Sequence, residues 1–160
     1  MMSKRRYDSP AQEAYLAMWR CYDRLRAIED EFFAAHDLTA QQYNVLRLLR
    51  ASHPQVMATA EIVARLISRA PDMTRMLDKL EARSLLARER SREDRRAILV
   101  RITPAGVDLL KVLSEPLRMV NEQQLGHMNA TDLAALTRLL RLAATPHEPL
   151  NSPWTQVEEN

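Results

Sequence analysis

The stretch from Pro71 to Gly106 reads PDMTRMLDKLEARSLLARERSREDRRAILVRITPAG, and its pattern decides the fold. Apolar residues in its first part recur three and four positions apart, which predicts an amphipathic helix with one buried stripe. Proline suits the first helical position, so we expect this helix to begin near residue 71. The expected buried stripe is Met73, Met76, Leu77 and Leu80, and the outward ridge is Asp72, Arg75 and Lys79.

Two short apolar runs follow this helix and are typical of paired β-strands. They are Leu85–Arg90 and Ala97–Ile102, and the second alternates apolar and other residues. The connection Ser91–Arg96 contains three arginines and no large apolar residue, so we expect it to project into solvent as a charged tip. Thr103 offers a hydroxyl as an N-cap and Pro104 suits the next position, which predicts that another helix starts there.

Long helical segments flank this unit. Apolar residues recur every three or four positions over 15–32, after a start signal at Ser9. Thr39 and Gln42 have the spacing of a capping box for the next helix. A last helix is expected to follow Asn129. Such long apolar seams without a closed core of their own predict partner helices.

The order of these elements resembles the winged helix-turn-helix of the MarR family of bacterial transcription regulators. Residues 94–106, DRRAILVRITPAG, are similar to the family's wing signature, D-x-R followed by an alternating strand and L-T-x-x-G. Residues 38–49 resemble the family's second helix, and 59–66 resemble the first helix of the helix-turn-helix. The family has glycine where Ser84 stands, and a left-handed backbone there would cost serine about 1 kcal/mol relative to glycine.

The resemblance implies a mainly α fold with a small β-hairpin wing, and N- and C-terminal helices that form a homodimer. Pro116 is expected to kink the long helix that starts at Pro104. The predicted segments are a basic N-terminal arm (1–8), a MarR-type domain (9–144) with dimerisation helices (9–37 and 104–144) around a winged lobe (39–103), and a Pro-rich polar tail (145–160).

Composition argues against several other classes of protein. A chain of 160 residues with 46% hydrophobic residues fits one compact domain, or one domain with a dimerising extension. No stretch is apolar enough for a signal peptide or a membrane span, so we expect a cytoplasmic protein with no membrane partner. The two glycines leave no phosphate-binding loop, and no nucleophile with its base or pair of carboxylates is evident. We therefore expect neither an enzyme nor a cofactor, and the cysteine and histidine spacings predict no metal site.

The charge distribution favours double-stranded DNA as a partner. The chain carries a net charge of +2, but eleven basic and six acidic residues between Arg65 and Arg101 give that stretch +5. Residues 4–6 add +3, which leaves −6 on the remainder. A charge run alone is usually a solvated surface, yet this one coincides with the helix, the hairpin and its tip.

The helix predicted to begin near residue 71 corresponds to the recognition helix of the family. In a homodimer, two such helices are expected to enter successive major grooves of a pseudo-palindromic DNA site. Arg75 is the candidate for reading a guanine edge. Asp72 could accept a hydrogen bond from cytosine or hold Arg75 in position, and stabilisation of the helix end is an equally good interpretation. Arg69, Thr74 and Lys79 are better suited to phosphates.

At the wing, the resemblance implies that Arg96 enters the minor groove and that Asp94 pairs with it. The alternative is that Asp94 stabilises the turn beside solvated arginines. Arg90, Arg92 and Arg95 are expected to contact phosphates without reading sequence.

The resemblance also implies repression relieved by a small molecule, often a phenolic or aromatic acid, that binds between the dimerising helices and the winged lobe. Candidate pocket residues are Tyr15, Trp19, Tyr22 and Tyr43, although their helical spacing favours a core or dimer seam. Cys21 is a candidate oxidation sensor, but a single cysteine on an apolar helix is more typical of inert packing. The alternative functions are an effector-independent or redox-responsive regulator, and a helical interaction protein that does not bind DNA.

Overall fold

The computed structural model describes residues 7–68, 72–149 and 152. Six α-helices and one small antiparallel sheet are found in these residues, so the predicted mainly α fold with a hairpin wing is confirmed. The elements are α1 (Pro10–Ala34), α2 (Ala40–Ser52), β1 (Met57–Ala58), α3 (Thr59–Arg65), α4 (Met73–Ala82), β2 (Leu86–Arg90), β3 (Ile98–Ile102), α5 (Pro104–Leu125) and α6 (Ala130–Ala144).

Three predicted helix starts are confirmed by hydrogen bonds at the helix ends. Thr39 and Gln42 form the full capping box of α2, each side chain bonding the other residue's backbone N–H. The Thr103 hydroxyl accepts the backbone N–H of Gly106 at 3.1 Å and caps α5. Asn129 caps α6 in the same way.

The boundaries of two helices are close to the sequence-based expectation. The fourth helix begins at Met73, where the sequence predicted a start near residue 71. Its N-cap is Asp72, whose carboxylate accepts the backbone N–H of Arg75 at 3.0 Å, so the first helical residue comes after it. The first helix ends at Ala34, inside the segment predicted for it.

Some predicted features lie outside the described residues. They are most of the basic N-terminal arm, the candidate phosphate contact Arg69, Pro71 itself, and the greater part of the tail. The described start of the tail is a single 3-10 turn at Thr145–His147. Helix α5 runs through Pro116 without interruption.

The sheet has the strand order β1-β3-β2, with β3 in the centre. Strands β2 and β3 form the predicted hairpin, in which Arg88 lies opposite Val100. Strand β1 was not predicted, because two residues cannot show an alternating pattern. Its Met57 also lies opposite Val100, from the other side, and is buried. This pairing attaches the hairpin to the start of α3.

The hydrophobic core lies between the end of α1, α2, the helices of the lobe, the sheet and the first half of α5. The predicted inner stripe of α4 is confirmed, because Met73, Leu77 and Leu80 are buried and Met76 packs against the core. The other fully buried large side chains are Phe33, Val45, Leu46, Leu49, Met57, Ile62, Leu86, Val100 and Leu113.

The end of α4, the start of β2 and the start of α5 meet at two neighbouring peptide groups. Ser84 has a φ of 57°, the left-handed conformation expected where the family has glycine. Its carbonyl accepts the Thr103 hydroxyl at 2.6 Å, and the next carbonyl, that of Leu85, accepts the Thr103 backbone N–H at 3.2 Å. A Cβ on Gly106 would lie 2.2 Å from the Leu85 oxygen. Only glycine permits this close approach of α5.

The outer parts of the long helices leave large apolar side chains exposed. Helix α6 has no buried residue. The exposed large apolar residues on α1, α5 and α6 are Tyr15, Leu16, Met18, Trp19, Tyr22, Val112, Met119, Leu139, Leu140 and Leu142. A single copy of the chain therefore does not cover these faces. Across the described residues, no helix combines the length and apolarity needed to cross a membrane.

Replacing Ser84 with glycine should stabilise the fold. Because a Cβ disfavours the left-handed conformation that Ser84 adopts, we expect Ser84→Gly to raise the free energy of unfolding by about 1 kcal/mol. The measurement is urea unfolding at fixed protein concentration. The matched control is Ser114→Gly within α5, where glycine should destabilise the helix by roughly 0.5 kcal/mol. Destabilisation by both substitutions would contradict this explanation.

Candidate nucleic-acid interface

The outer face of α4 carries the residues predicted to contact DNA. Thr74, Arg75 and Lys79 are exposed. Arg75 and Lys79 line one wall of a cleft of about 310 Å³, together with Asp72. The other wall is the start of α2, whose contributing residues are Thr39, Gln41 and Gln42. Thr39 and Gln42 were predicted as a helix cap but not as neighbours of α4.

Asp72 acts locally in the isolated chain. Its carboxylate caps α4 by accepting the backbone N–H of Arg75, and within the described residues it forms no ion pair with the Arg75 guanidinium. Stabilisation of the helix end is therefore the observed role among the interpretations of Asp72. The Arg75 guanidinium is left available to a ligand.

Short-range hydrogen bonds organise the tip of the wing. The Ser91 hydroxyl accepts the backbone N–H groups of Glu93 and Asp94, each at 3.2 Å. The Asp94 carboxylate accepts the backbone N–H of Arg96 at 2.9 Å. No ion pair joins the Asp94 and Arg96 side chains in the described part of the chain. Without DNA, Asp94 thus has the turn-stabilising role that was the alternative interpretation.

The basic side chains of the lobe divide into two groups. Arg65 forms an ion pair with Glu61 at 2.6 Å, and Arg88 contacts two carboxylates. The second group is exposed and has no ion-pair partner among residues 7–68 and 72–149, and its members on α4 and the wing are Arg75, Lys79, Arg90, Arg92, Arg95, Arg96 and Arg101. Elsewhere in the lobe Arg47, Arg50 and Arg83 share these two properties, but the members on α4 and the wing form the largest cluster that an anionic partner could reach.

The wing and α4 form the walls of a second cleft, of about 390 Å³. Thr74 lies on its α4 side and Arg96 on its wing side, and Thr59 at the start of α3 also lines it. Residues predicted to contact DNA from two separate elements are thereby brought to one place. The Thr59 hydroxyl donates to the Ile98 carbonyl, which fixes α3 against β3.

Arg88 connects the wing to α4 and was not singled out from the sequence. Its guanidinium lies 2.6 Å from both an Asp78 and a Glu81 carboxylate oxygen. The hydrogen bond from Arg88 lowers the pKa of Glu81, and the same bond raises the pKa of Arg88. The sequence did contain a signal for this contact. Arg88 follows the apolar Leu86 by two positions, and residues two positions apart lie on the same face of a β-strand.

The four aromatic residues proposed for an effector pocket do not come together in one chain. Tyr43 packs against Phe33, with ring centroids 5.0 Å apart. Tyr15 and Trp19 contact each other at 6.1 Å and are mostly exposed. In the single chain, Tyr43 packs against the core and the other three lie on an exposed helix face, which agrees with the core or dimer seam that their spacing favoured; an aromatic pocket stays a prediction.

Tyr22 instead lines a cavity of about 580 Å³ between α1 and the winged lobe. Most of its lining is polar, and burial raises the pKa of Glu29 in its wall. Arg26 in the same wall contacts Asp30 at 3.1 Å. The remaining lining residues are Thr39, Ala40, Gln41 and Ser68. The start of α2 thus borders both this cavity and the cleft beside Arg75.

Cys21, the candidate oxidation sensor, is a free and exposed thiol on α1. Its exposure differs from the buried packing role that the sequence favoured, because the surrounding face of α1 is uncovered in a single chain. The described residues contain no group of three or more His, Cys, Asp or Glu side chains that could hold a metal ion.

Comparison with known proteins gives a consistent picture. The profile of the MarR family matches residues 38–98. The chain is 53% identical to a MarR transcription factor from Planctomyces limnophilus of known crystal structure. That likeness covers 86% of this chain and 99% of the other, with a TM-score of 0.69.

Two further relatives carry functional names. The chain is 28% identical to the HTH-type transcriptional repressor NicR of Pseudomonas putida, over 84% of each chain. It is also 28% identical to BpsR of Bordetella bronchiseptica, a protein whose DNA binding is regulated by 6-hydroxynicotinic acid. The match to that structure covers 86% of this chain and 96% of BpsR, with a TM-score of 0.74.

Proposed function

The chain belongs to the MarR family of transcription regulators, and from that membership we propose that it is a homodimeric repressor of a pseudo-palindromic operator. The family consists of DNA-binding regulators and not of enzymes. We place its action in the cytoplasm, where bacterial operators are found.

The observation that carries the proposal is the set of exposed basic side chains without ion-pair partners on α4 and the wing. Lysine and arginine side chains that neutralise DNA phosphates supply much of the affinity, whereas base contacts supply specificity. In this proposal Arg75 reads a guanine edge in the major groove. Arg69, Thr74 and Lys79 contact phosphates.

The wing supplies a second contact. Its tip is held by Ser91 and Asp94, so that the Arg96 side chain extends from a short, ordered turn. We assign Arg96 to a narrow minor groove, which attracts cations most strongly where the DNA is rich in A·T pairs. Arg90, Arg92 and Arg95 contact the flanking phosphates, and Asp94 reaches the Arg96 guanidinium only after its present bond to the backbone rearranges.

Single alanine substitutions test these two contacts. The measurement is a gel shift on a duplex selected by the wild type from a random pool. Arg75→Ala should weaken binding by roughly ten- to a hundredfold and relax the base preference in the major groove, because a bidentate contact to guanine is lost. Arg96→Ala should remove the preference for A·T pairs beneath the wing.

The matched control is Lys111→Ala, which removes an exposed cation from α5 outside the lobe. It should leave affinity and base preference unchanged. Equal wild-type affinity for the selected and a shuffled duplex at physiological salt would exclude sequence-specific binding.

The exposed apolar faces support the proposed homodimer. Contiguous apolar surface on α1, α5 and α6 has no cover from the chain itself, which is unusual for a monomeric protein. Leu139 and Leu142 lie on one side of α6 and are 51% and 65% exposed. Thr137 is exposed and lies on the opposite side of that helix.

Introducing charge into this face should dissociate the dimer. The double substitution Leu139→Glu, Leu142→Glu should raise the dimer dissociation constant by on the order of a hundredfold or more, because two carboxylates would be desolvated at the interface. Sedimentation equilibrium measures the change. Thr137→Glu adds a carboxylate to the opposite side of α6 and should leave the dimer intact. A monomeric wild type would contradict the dimer itself.

We further propose that a small aromatic or phenolic acid releases the protein from DNA by binding the cavity lined by Tyr22. Two observations support this site: its position between α1 and the winged lobe, and the control of BpsR by 6-hydroxynicotinic acid. Arg26 offers a guanidinium to an acid if Asp30 gives way.

Titration of the protein–DNA complex with 6-hydroxynicotinic acid tests this effector class. Release should occur for the wild type, and Tyr22→Ala should need roughly fivefold more acid, since a ring contact of about 1 kcal/mol is lost. Nicotinamide, which lacks the carboxylate, is the ligand control. No release at any concentration that leaves the protein folded would exclude this acid as effector.

A further inference from the structure

Arg88 lies at an inward-facing position of the wing. It follows the buried Leu86 by two residues on β2, so both side chains lie on the face of the hairpin that meets α4. A guanidinium on such a face is costly unless carboxylates and hydrogen bonds compensate it. Asp78 and Glu81, on one side of α4, provide this compensation.

The contacts among Arg88, Asp78 and Glu81 involve both the side chain and the backbone of β2. One guanidinium nitrogen of Arg88 donates to Asp78 and to Glu81 at 2.6 Å each, and its Nε donates to Glu81 at 2.9 Å. The other carboxylate oxygen of Glu81 accepts the backbone N–H of Arg88 at 3.0 Å. Both the side chain and the backbone of the strand are thereby bonded to α4, which a single exposed ion pair would not achieve.

The trio differs from the other ion pairs in what it joins. Arg118 and Glu115, for example, contact each other at 2.7 Å within one turn of α5, and both are well exposed. That pair fixes no relation between two elements. The Arg88 side chain is only 23% exposed, and its charge is matched by two carboxylates, so it is poorly placed to neutralise phosphate.

The distance from Arg88 to the wing tip is short enough for this attachment to control the tip. Ser91 lies three positions after Arg88, which corresponds to about 10 Å of extended chain. Successive bases along one DNA strand are about 3.4 Å apart. A modest change in the tilt of the hairpin would therefore move Arg96 by one base pair relative to α4.

Building on the proposed function, we propose that Arg88 is a positioning residue that, through Asp78 and Glu81, sets how many base pairs separate the major-groove contact from the minor-groove contact. Arg88 itself reads no base. It acts through the placement of Arg75 and Arg96.

The test compares the selected duplex with one in which a single base pair is inserted, in each half-site, between the major-groove and minor-groove contacts. The wild type should bind the inserted duplex about tenfold more weakly, the size of one mismatched base pair. The triple variant Asp78→Ala, Glu81→Ala, Arg88→Ala should discriminate by less than about threefold, because its wing can tilt to follow the insertion.

The triple variant removes the acids together with the arginine, so that no unpaired carboxylate repels DNA. Arg101→Gln is the matched control for charge, because it removes one exposed cation from the same hairpin, on the face opposite that of Arg88. This control should keep the wild-type discrimination between the two duplexes. Thermal unfolding of every variant shows which of them remain folded at the binding temperature.

Each outcome has a distinct meaning. Full wild-type discrimination by the folded triple variant would overturn the positioning role while leaving the proposed function intact. Failure of the wild type to prefer its selected duplex over a shuffled one would instead overturn the proposed function. If the triple variant is unstable, Arg88→Lys serves in its place. Lysine keeps the charge but loses the two-nitrogen contact, and it should still reduce discrimination.

Discussion

The winged lobe depends on the hydrogen bonds that Thr103 makes to the peptide groups of Ser84 and Leu85. These two carbonyls end the recognition helix and begin the wing, and Thr103 begins α5. Three elements are thus joined at one point by one residue. The joint requires a left-handed backbone at Ser84 and the absence of a side chain at Gly106, so two local constraints fix the relation between the DNA-contacting elements and the long helix that follows.

Electrostatics in the lobe serve two separate purposes. The Arg65–Glu61 pair neutralises charge within α3, whereas the Arg88 trio neutralises charge and also joins the wing to α4. The exposed basic residues of α4 and the wing have no such partners among the described residues. The net charge of the lobe therefore understates its capacity for phosphate, because two of its carboxylates are bonded to Arg88, which is only 23% exposed.

The sequence was most informative where a structure is determined by neighbours in the chain. The capping box at Thr39, the cap at Thr103 and the alternation of β3 each involve a few consecutive residues, and all three were predicted correctly. Features that need a distant partner were missed. The two-residue strand β1 exists only because β3 lies beside it, and the bonds from Arg88 to Asp78 and Glu81 join two elements that are separate in the sequence. The same reason applies to the candidate site: exposed basic residues could be identified, but not which arginine is bonded to another element.

Helix α6 buries none of its residues within its own chain. In the proposed dimer, its tertiary stability comes from the second subunit, so the free energy of folding contains a term in protein concentration. Dilution therefore dissociates the dimer and lowers the stability of this helix. For a repressor, this links two quantities that are often treated separately: the amount of protein synthesised determines how much of it is folded into the form that can occupy both half-sites.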